Sequence, residues 1–259
     1  MLAQQRQQTI LERVRRHGAV RVAELVRDLG VSDMTVRRDL EVLAERGLLE
    51  KVHGGATIGG PGSTEEPGFA AKTTRQQPEK EAIARAAARL VRPGTAVALS
   101  AGTTNWALAH HLIEVPDLTM ITNSIQVAEV FHRNQRDDRT VVLTGGVRTP
   151  SDALVGPVAV AALRTLHVDT LFLGVHGMSV RAGFTTPNLL EAETNRALVQ
   201  CAGRLVVPAD HTKWQTVGIS TIAELSQADV VISDARLDAE ARRDLAERAG
   251  ELIIAEEAS

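Results

Sequence analysis

Residues 32–53 read SDMTVRRDLEVLAERGLLEKVH, and the fold of the front of the chain turns on them. Val36, Leu40 and Leu43 recur at helical spacing, and Ser32, just ahead of them, can cap a helix through its hydroxyl. The geometry that sends those three apolar residues to a core leaves Thr35, Arg37 and Arg38 on or near the open side. Gly47 stops the helix, and a short basic ribbon, Leu48–Thr57 with Lys51 and His53, follows. Apolar support behind, donors in front and a ribbon after are the layout of a helix-turn-helix reading head with a wing.

Upstream, Ile10, Leu11 and Val14 give a first helix one apolar face, and Val22, Leu25, Val26 and Leu29 do the same for a second. Gly30 ends that second helix at a position where a left-handed residue costs little. Arginine suits a reading helix because its planar fork bonds guanine or phosphate through two hydrogen bonds. The plainer alternative is an amphipathic helix with solvated arginines and with Asp39 and Glu41 as local partners. Lys51 and His53 on the wing would lie on the DNA backbone and add affinity more than sequence choice. One head covers one half-site, so a homo-oligomer on a repeated or palindromic double-stranded operator is expected.

Charge is divided along the chain. Residues 1–57 hold ten Lys and Arg against eight Asp and Glu, whereas the whole chain of 259 residues carries a net charge of −3. An excess of two is too small to argue nucleic-acid binding, so the case rests on placement. The 44% hydrophobic and 24% charged fractions are those of a globular protein with a sizeable core. A single cysteine, Cys201, excludes an intramolecular disulfide and fits a reducing, cytoplasmic setting. No apolar run reaches membrane-spanning length, and the first ten residues lack the apolar core of a signal peptide, so no membrane partner is expected.

Residues 58–78, rich in Gly, Pro, Ser and Thr, read as a linker between a DNA-binding domain at 1–57 and a second domain at 79–259. Beyond it, β-branched runs at 95–99, 118–122, 140–143, 168–173, 204–208, 229–233 and 251–255 alternate with amphipathic stretches. Strands apolar on both faces and separated by helices predict an α/β domain with a mostly parallel sheet covered on both sides.

Ser100-Ala101-Gly102-Thr103-Thr104 follows the first of those strands and opens a helix, so backbone N–H groups and the helix dipole point at whatever sits there. Phosphate is the natural occupant; the alternative is a turn using Gly and Thr for capping alone. Other strand ends carry Asn123 and Ser124, then Gly145 and Gly146, then Gly174, His176 and Gly177. Strand ends of a parallel sheet are where ligands bind, glycine lets a ligand near the backbone, and Asn and Ser bond sugar hydroxyls. Glu191 and Glu193 sit on a predicted helix, where either reaches a sugar hydroxyl or Glu193 pairs with Arg196. The sequence holds no GxSxG elbow, HExxH, Cys/His metal pattern or GxxxxGKS/T loop, so neither a metal, a cofactor nor an enzyme is expected. A sugar-phosphate isomerase or deaminase would use the same anion site, and remains the alternative class.

The run VSDMTVRRDLEVLAERGLLEKVHGGA closely resembles the signature of DeoR-type bacterial transcriptional regulators. The resemblance continues through AGTTNWALA, TNSIQVA, LTGG, LFLGVHG, EAETNR and PADHTKW in the family's order, and so spans nearly the whole chain. It implies a repressor of a sugar-catabolic operon, with a C-terminal domain similar to ribose-5-phosphate isomerase that binds a phosphorylated sugar or related metabolite. It also implies a dimer or tetramer, and singles out Lys213 as a cation for the phosphate. An activator would use the same parts. Ser100 stands where the family commonly has an acidic residue, and a serine accepts hydrogen bonds from sugar hydroxyls more weakly, which points to a different effector. Trp214 replaces a frequent phenylalanine, which would resize the pocket.

Overall fold

In a computed structural model, the chain divides into two compact units, residues 1–61 and 62–259. The structure describes residues 3–17, 19–45, 48–52, 55–57 and 68–256. In the first unit α1 (Ala3–His17), α2 (Val22–Leu29) and α3 (Asp33–Glu45) surround one core with a small antiparallel sheet. That sheet is β1 (Ala19–Arg21), β2 (Glu50–Val52) and β3 (Gly55–Thr57), in the order β1-β3-β2. The core joins Ile10 and Val14 of α1, Leu25 of α2, and Val36, Leu40 and Leu43 of α3. These are the apolar positions that helical spacing selects. Gly30 ends α2 in the left-handed region, φ 63°.

The second unit opens with α4 (Phe69–Thr73) and α5 (Gln77–Ala88), so residues 69–78 are not the structureless linker that their composition suggests. Phe69 finds an aromatic partner and Pro78 sits in the first turn of α5, where its missing N–H costs nothing. Residues 58–67 lie outside the described residues.

Then follow β4 (Ala96–Leu99), α6 (Thr103–His111), β5 (Thr119–Thr122), α7 (Ile125–Arg133), β6 (Thr140–Leu143) and a hairpin of β7 (Val147–Arg148) and β8 (Leu154–Val155). Next come α8 (Pro157–Leu163), β9 (Thr170–Phe172), β10 (Gly177–Ser179), β11 (Gly183–Thr186) and α9 (Leu189–Gln200). The chain ends through β12 (Leu205–Pro208), β13 (Ser220–Ala223), β14 (Val230–Asp234), α10 (Ala239–Arg248) and β15 (Leu252–Ala255).

A seven-stranded sheet, β15-β14-β12-β9-β4-β5-β6, forms the centre, and its ladders are parallel. Each of the seven β-branched runs supplies one strand. Successive residues face opposite sides, as strand geometry demands. Val97, Leu99, Phe172, Val206 and Ile232 meet Ile83 of α5, Leu108 of α6 and Phe131 of α7 on one side. Ala98, Leu171, Leu173, Val207 and Val231 meet Leu163, Leu198 and Leu245 of α8, α9 and α10 on the other. Against that second layer lies an antiparallel sheet, β10-β11-β13, through Met178, Phe184 and Ile222.

No helix among the described residues is long and apolar enough to cross a membrane. Cys201 is buried in the core, where desolvation pushes its thiol up, a packing residue rather than an activated nucleophile.

Candidate functional site

The order of the parallel sheet reverses between β4 and β9: β5 and β6 extend one way, and β12, β14 and β15 the other. Connections leave the carboxyl ends of β4 and β9 in opposite directions and open a crevice there, the usual ligand position in such sheets. Its floor is fastened. Gly174 N–H donates to Ser100 Oγ at 2.8 Å, and Asn105 Nδ2 donates to the carbonyls of Ser100 and Phe172 at 2.9 Å each. A Cβ on residue 174 would stand 2.6 Å from Ala101 O, so the two loops meet this closely only with glycine there.

α6 starts from Gly102 without a side-chain cap, and its dipole therefore faces the crevice. The cavity there is lined by Gly102, Thr103, Thr104, Asn123, His176 and Lys213, which the sequence singles out and the fold brings together. Asn123 is partly committed to structure: Oδ1 accepts the Ala101 N–H at 3.0 Å, and Nδ2 donates to Leu154 O at 3.2 Å. His176 closes the β9 end through its N–H to Thr185 O, 3.0 Å. Lys213 reaches the cavity from a 3-10 turn, His211–Lys213, which Asp210 caps by accepting the Thr212 N–H at 3.0 Å.

Five predicted effector residues do not line this cavity. Ser100 is fully buried beneath it, its hydroxyl oxygen accepting the Gly174 N–H. Ser124 caps α7, accepting the Val127 N–H at 3.3 Å. Gly145 and Gly146 lead into the β7–β8 hairpin, and Gly146, φ 124°, lies so near Val155 that a Cβ would meet its carbonyl oxygen at 2.6 Å. Glu193 is exposed on α9, and Arg196 bonds Thr221 O and Ser220 Oγ.

Of the two carboxylates that the sequence offers on this helix, Glu191 is the one that faces the cavity. It accepts hydrogen bonds from Ser151 Oγ at 2.5 Å, Thr186 Oγ1 at 2.8 Å and Thr149 Oγ1 at 3.2 Å, and lines the cavity. Two further lysines, Lys72 and Lys80, enter from α4 and α5. Lys80 is 6% exposed, and its Nζ donates to Lys72 O and Arg75 O at 2.6 Å each. Burial lowers its pKa to about 8, with Lys213, Lys72 and Arg75 acting in the same direction against the attraction of Asp210. An uncapped helix terminus and three lysines suit an anion, and Glu191 and Asn195 in the same cavity suit hydroxyl groups. No cluster of His, Cys, Asp or Glu among the described residues is placed to hold a metal.

In the first unit Ser32 caps α3 as predicted, its Oγ accepting the Thr35 N–H at 3.3 Å and lying 2.8 Å from Thr35 Oγ1. Arg37 and Arg38 are exposed. Arg37 Nε donates to Asp33 Oδ1 at 2.5 Å on the same helix. Asp39, read from sequence as a local partner for the arginines, is instead buried and accepts from Arg6 Nε at 2.5 Å and Gln7 Nε2 at 3.0 Å of α1. It fastens α3 to α1. Lys51 lies on β2 opposite Ala56 of β3, and His53 falls outside the described residues.

Residues 6–59 match the family model of the DeoR-like helix-turn-helix domain, and residues 75–235 that of the DeoR C-terminal sensor domain. The uncharacterized HTH-type transcriptional regulator YgbI of Escherichia coli K12 is 36% identical over 257 residues, 98% of this chain and 99% of that one. A putative aga operon transcriptional repressor of Escherichia coli O157:H7 is 31% identical, covering 96% and 93%. The glycerol-3-phosphate regulon repressor of Escherichia coli K12 is 30% identical, covering 89% and 90%. Among solved structures, a D-ribose-5-phosphate isomerase in complex with phospho-erythronic acid overlaps 52% of each chain at 13% identity and a TM-score of 0.39. An overlap that weak fixes no residue correspondence. These three relatives carry the names of regulators and repressors, not of enzymes.

Proposed function

The chain belongs to the DeoR family of helix-turn-helix transcriptional regulators, and from that premise we propose that it represses a carbohydrate-catabolism operon and leaves its operator when a phosphorylated sugar or related metabolite binds the second unit. The observation that carries the effector reading is the cavity at the reversal of strand order, where the uncapped start of α6 stands with Lys72, Lys80 and Lys213. The phosphate sits on the first turn of α6 and the lysines, and the sugar hydroxyls reach Glu191 and Asn195. Thr35, Arg37 and Arg38 read the operator, with Lys51 and His53 on its backbone, and a homo-oligomer presents two heads to two half-sites. Release requires that the ligand bind the DNA-free arrangement more tightly, because equal affinity would shift nothing.

The test is a panel of pentose, hexose and triose phosphates, with their unphosphorylated counterparts, added to protein on operator DNA. One phosphate ester should release the DNA, its free sugar should not, and Thr103→Val should remove the response while keeping DNA affinity. Response to free sugars alone would sink the anion reading, and tighter DNA binding with ligand would make the protein an activator.

A further inference from the structure

α4 is the first described element after residues 58–67, and it is fastened to the walls of the cavity. At one end the Phe69 ring meets Trp106 of α6 edge-on, with centroids 6.0 Å apart at 88°. The Phe69 N–H donates to Pro150 O at 3.1 Å, and the next residue, Ser151, bonds Glu191. At the other end Lys72 O, and Arg75 O in the corner just after it, each accept a hydrogen bond from Lys80 Nζ. Between α4 and α5 the corner passes through Gln76 with φ 51°, a left-handed conformation that a residue with a side chain adopts only when its surroundings hold it there. The same Gln76 offers its carbonyl to the Lys80 N–H at 3.0 Å.

An ammonium has three donors, and carbonyl oxygens near a helix C-terminus attract a cation. Lys80 gives two donors to the end of α4, which leaves the third for the cavity it lines. It also borders a second cleft, between α4, α5 and α6, which Thr73, Gln77, Thr103 and Trp106 line with it. One buried charge thus borders both the anion cavity and the cleft between α4, α5 and α6.

We propose that Lys80 transmits anion binding to the connecting chain: its third proton bonds the bound anion while the other two hold the end of α4, so that a filled cavity tightens α4 on α6. This rests on the reading of the cavity as an anion site. A dianion beside the ammonium compensates a charge that burial leaves costly, and so favours the protonated form, whose three donors serve the two carbonyls and the anion together. Linkage makes the effect mutual: a docked α4 raises anion affinity by the factor by which the anion favours docking. Lys213 also lines the cavity, but its bonds among the described residues are backbone bonds to Asp210 and Thr216 and not to α4, which separates the two roles.

Amide hydrogen exchange over residues 69–76, with calorimetry for binding, tests this on the full chain with inorganic phosphate as probe. In the wild type, saturating phosphate should slow exchange across this segment severalfold. Lys213→Met should weaken phosphate binding yet, once saturated, slow the segment as in the wild type. Lys80→Met should exchange faster here without phosphate and show no slowing at phosphate levels that calorimetry reports as saturating. Slowing in saturated Lys80→Met equal to the wild type would overturn the proposal, as would binding to the wild type with no slowing. If neither phosphate nor any sugar phosphate bound the wild type, the anion reading itself would fall. Should Lys80→Met not fold, Lys80→Gln replaces it, a shorter neutral side chain that cannot span the two carbonyls and the anion at once. Faster exchange over 69–76 with no slowing by saturating phosphate supports the assignment, and slowing equal to the wild type refutes it.

Discussion

Gly174 N–H donates to Ser100 Oγ at 2.8 Å, and this bond ties the ends of β4 and β9 where the strand order reverses. The serine is fully buried, so its hydroxyl serves the scaffold of the cavity. Ser100→Ala removes the acceptor of a partly buried N–H, which costs about 1 kcal/mol. Urea unfolding should register that loss, while affinity for the effector stays close to wild type. A roughly tenfold loss of affinity, about 1.4 kcal/mol, at unchanged stability would return Ser100 to the ligand.

The two arginines of α3 should not contribute equally to DNA binding. Arg37 is engaged with Asp33 and must leave or share that pair to reach DNA, whereas Arg38 is exposed and has no ion-pair partner among the described residues. Arg38→Ala should cost about 1–3 kcal/mol, concentrated at one operator position if the side chain reads a base. Arg37→Ala should weaken binding less, and alike across sequences. Fluorescence anisotropy on an operator series decides it, and equal uniform losses would reduce both to phosphate contacts.

Glu191 separates two kinds of ligand. Its carboxylate is oriented by Thr149, Ser151 and Thr186 and faces the lysine-lined cavity. Glu191→Gln keeps the shape and removes the charge that strengthens bonds from hydroxyls. A charge-assisted hydrogen bond contributes about 1.5–3 kcal/mol, so affinity for the sugar phosphate should fall about tenfold or more. Affinity for inorganic phosphate should hold or rise. Parallel loss of both in calorimetry would make Glu191 structural.

The parallel sheet was legible because burial on both faces writes a strand as a continuous β-branched run. The sheet β10-β11-β13 was not, because its segments GMS, GFTT and STIA are short and polar and bury themselves only against the finished α/β layer. At the site, backbone features carried through: a Gly-Thr-Thr turn after a strand is local, and the fold put it at the reversal point. Side-chain choices on helices stayed open. Glu191 and Glu193 are two residues apart, about 200° around the axis, and only the phase of α9 against β8 and β11 turns Glu191 inward. Lys80 was passed over because α5 starts at Gln77, earlier than its apolar pattern suggests, and because the segment that buries it has a linker's composition. Asp39 reads as a surface carboxylate until α1 is laid against α3.

Lys80 gives the site a pH signature with two opposed slopes. Burial lowers its pKa from 10.5 to about 8, so between those values the unfolded chain holds a proton that the folded one has lost. Stability then rises with pH across this window, by at most about 3–4 kcal/mol at ~1.4 kcal/mol per unit, as the cost of a buried charge is relieved. Anion affinity moves the other way, because the neutral amine no longer attracts the ligand. Asp210 favours the charged form, and Lys213, Lys72 and Arg75 oppose it. Sulfate suits the measurement, since its own charge is constant over the range. Its affinity should hold from pH 6 to 7.5 and decline above 8, with the midpoint moved upward by the bound anion itself. Lys80→Met should flatten the decline. A wild-type profile level to pH 9.5 would show that Lys80 keeps its proton throughout, and that burial does not set its ionisation.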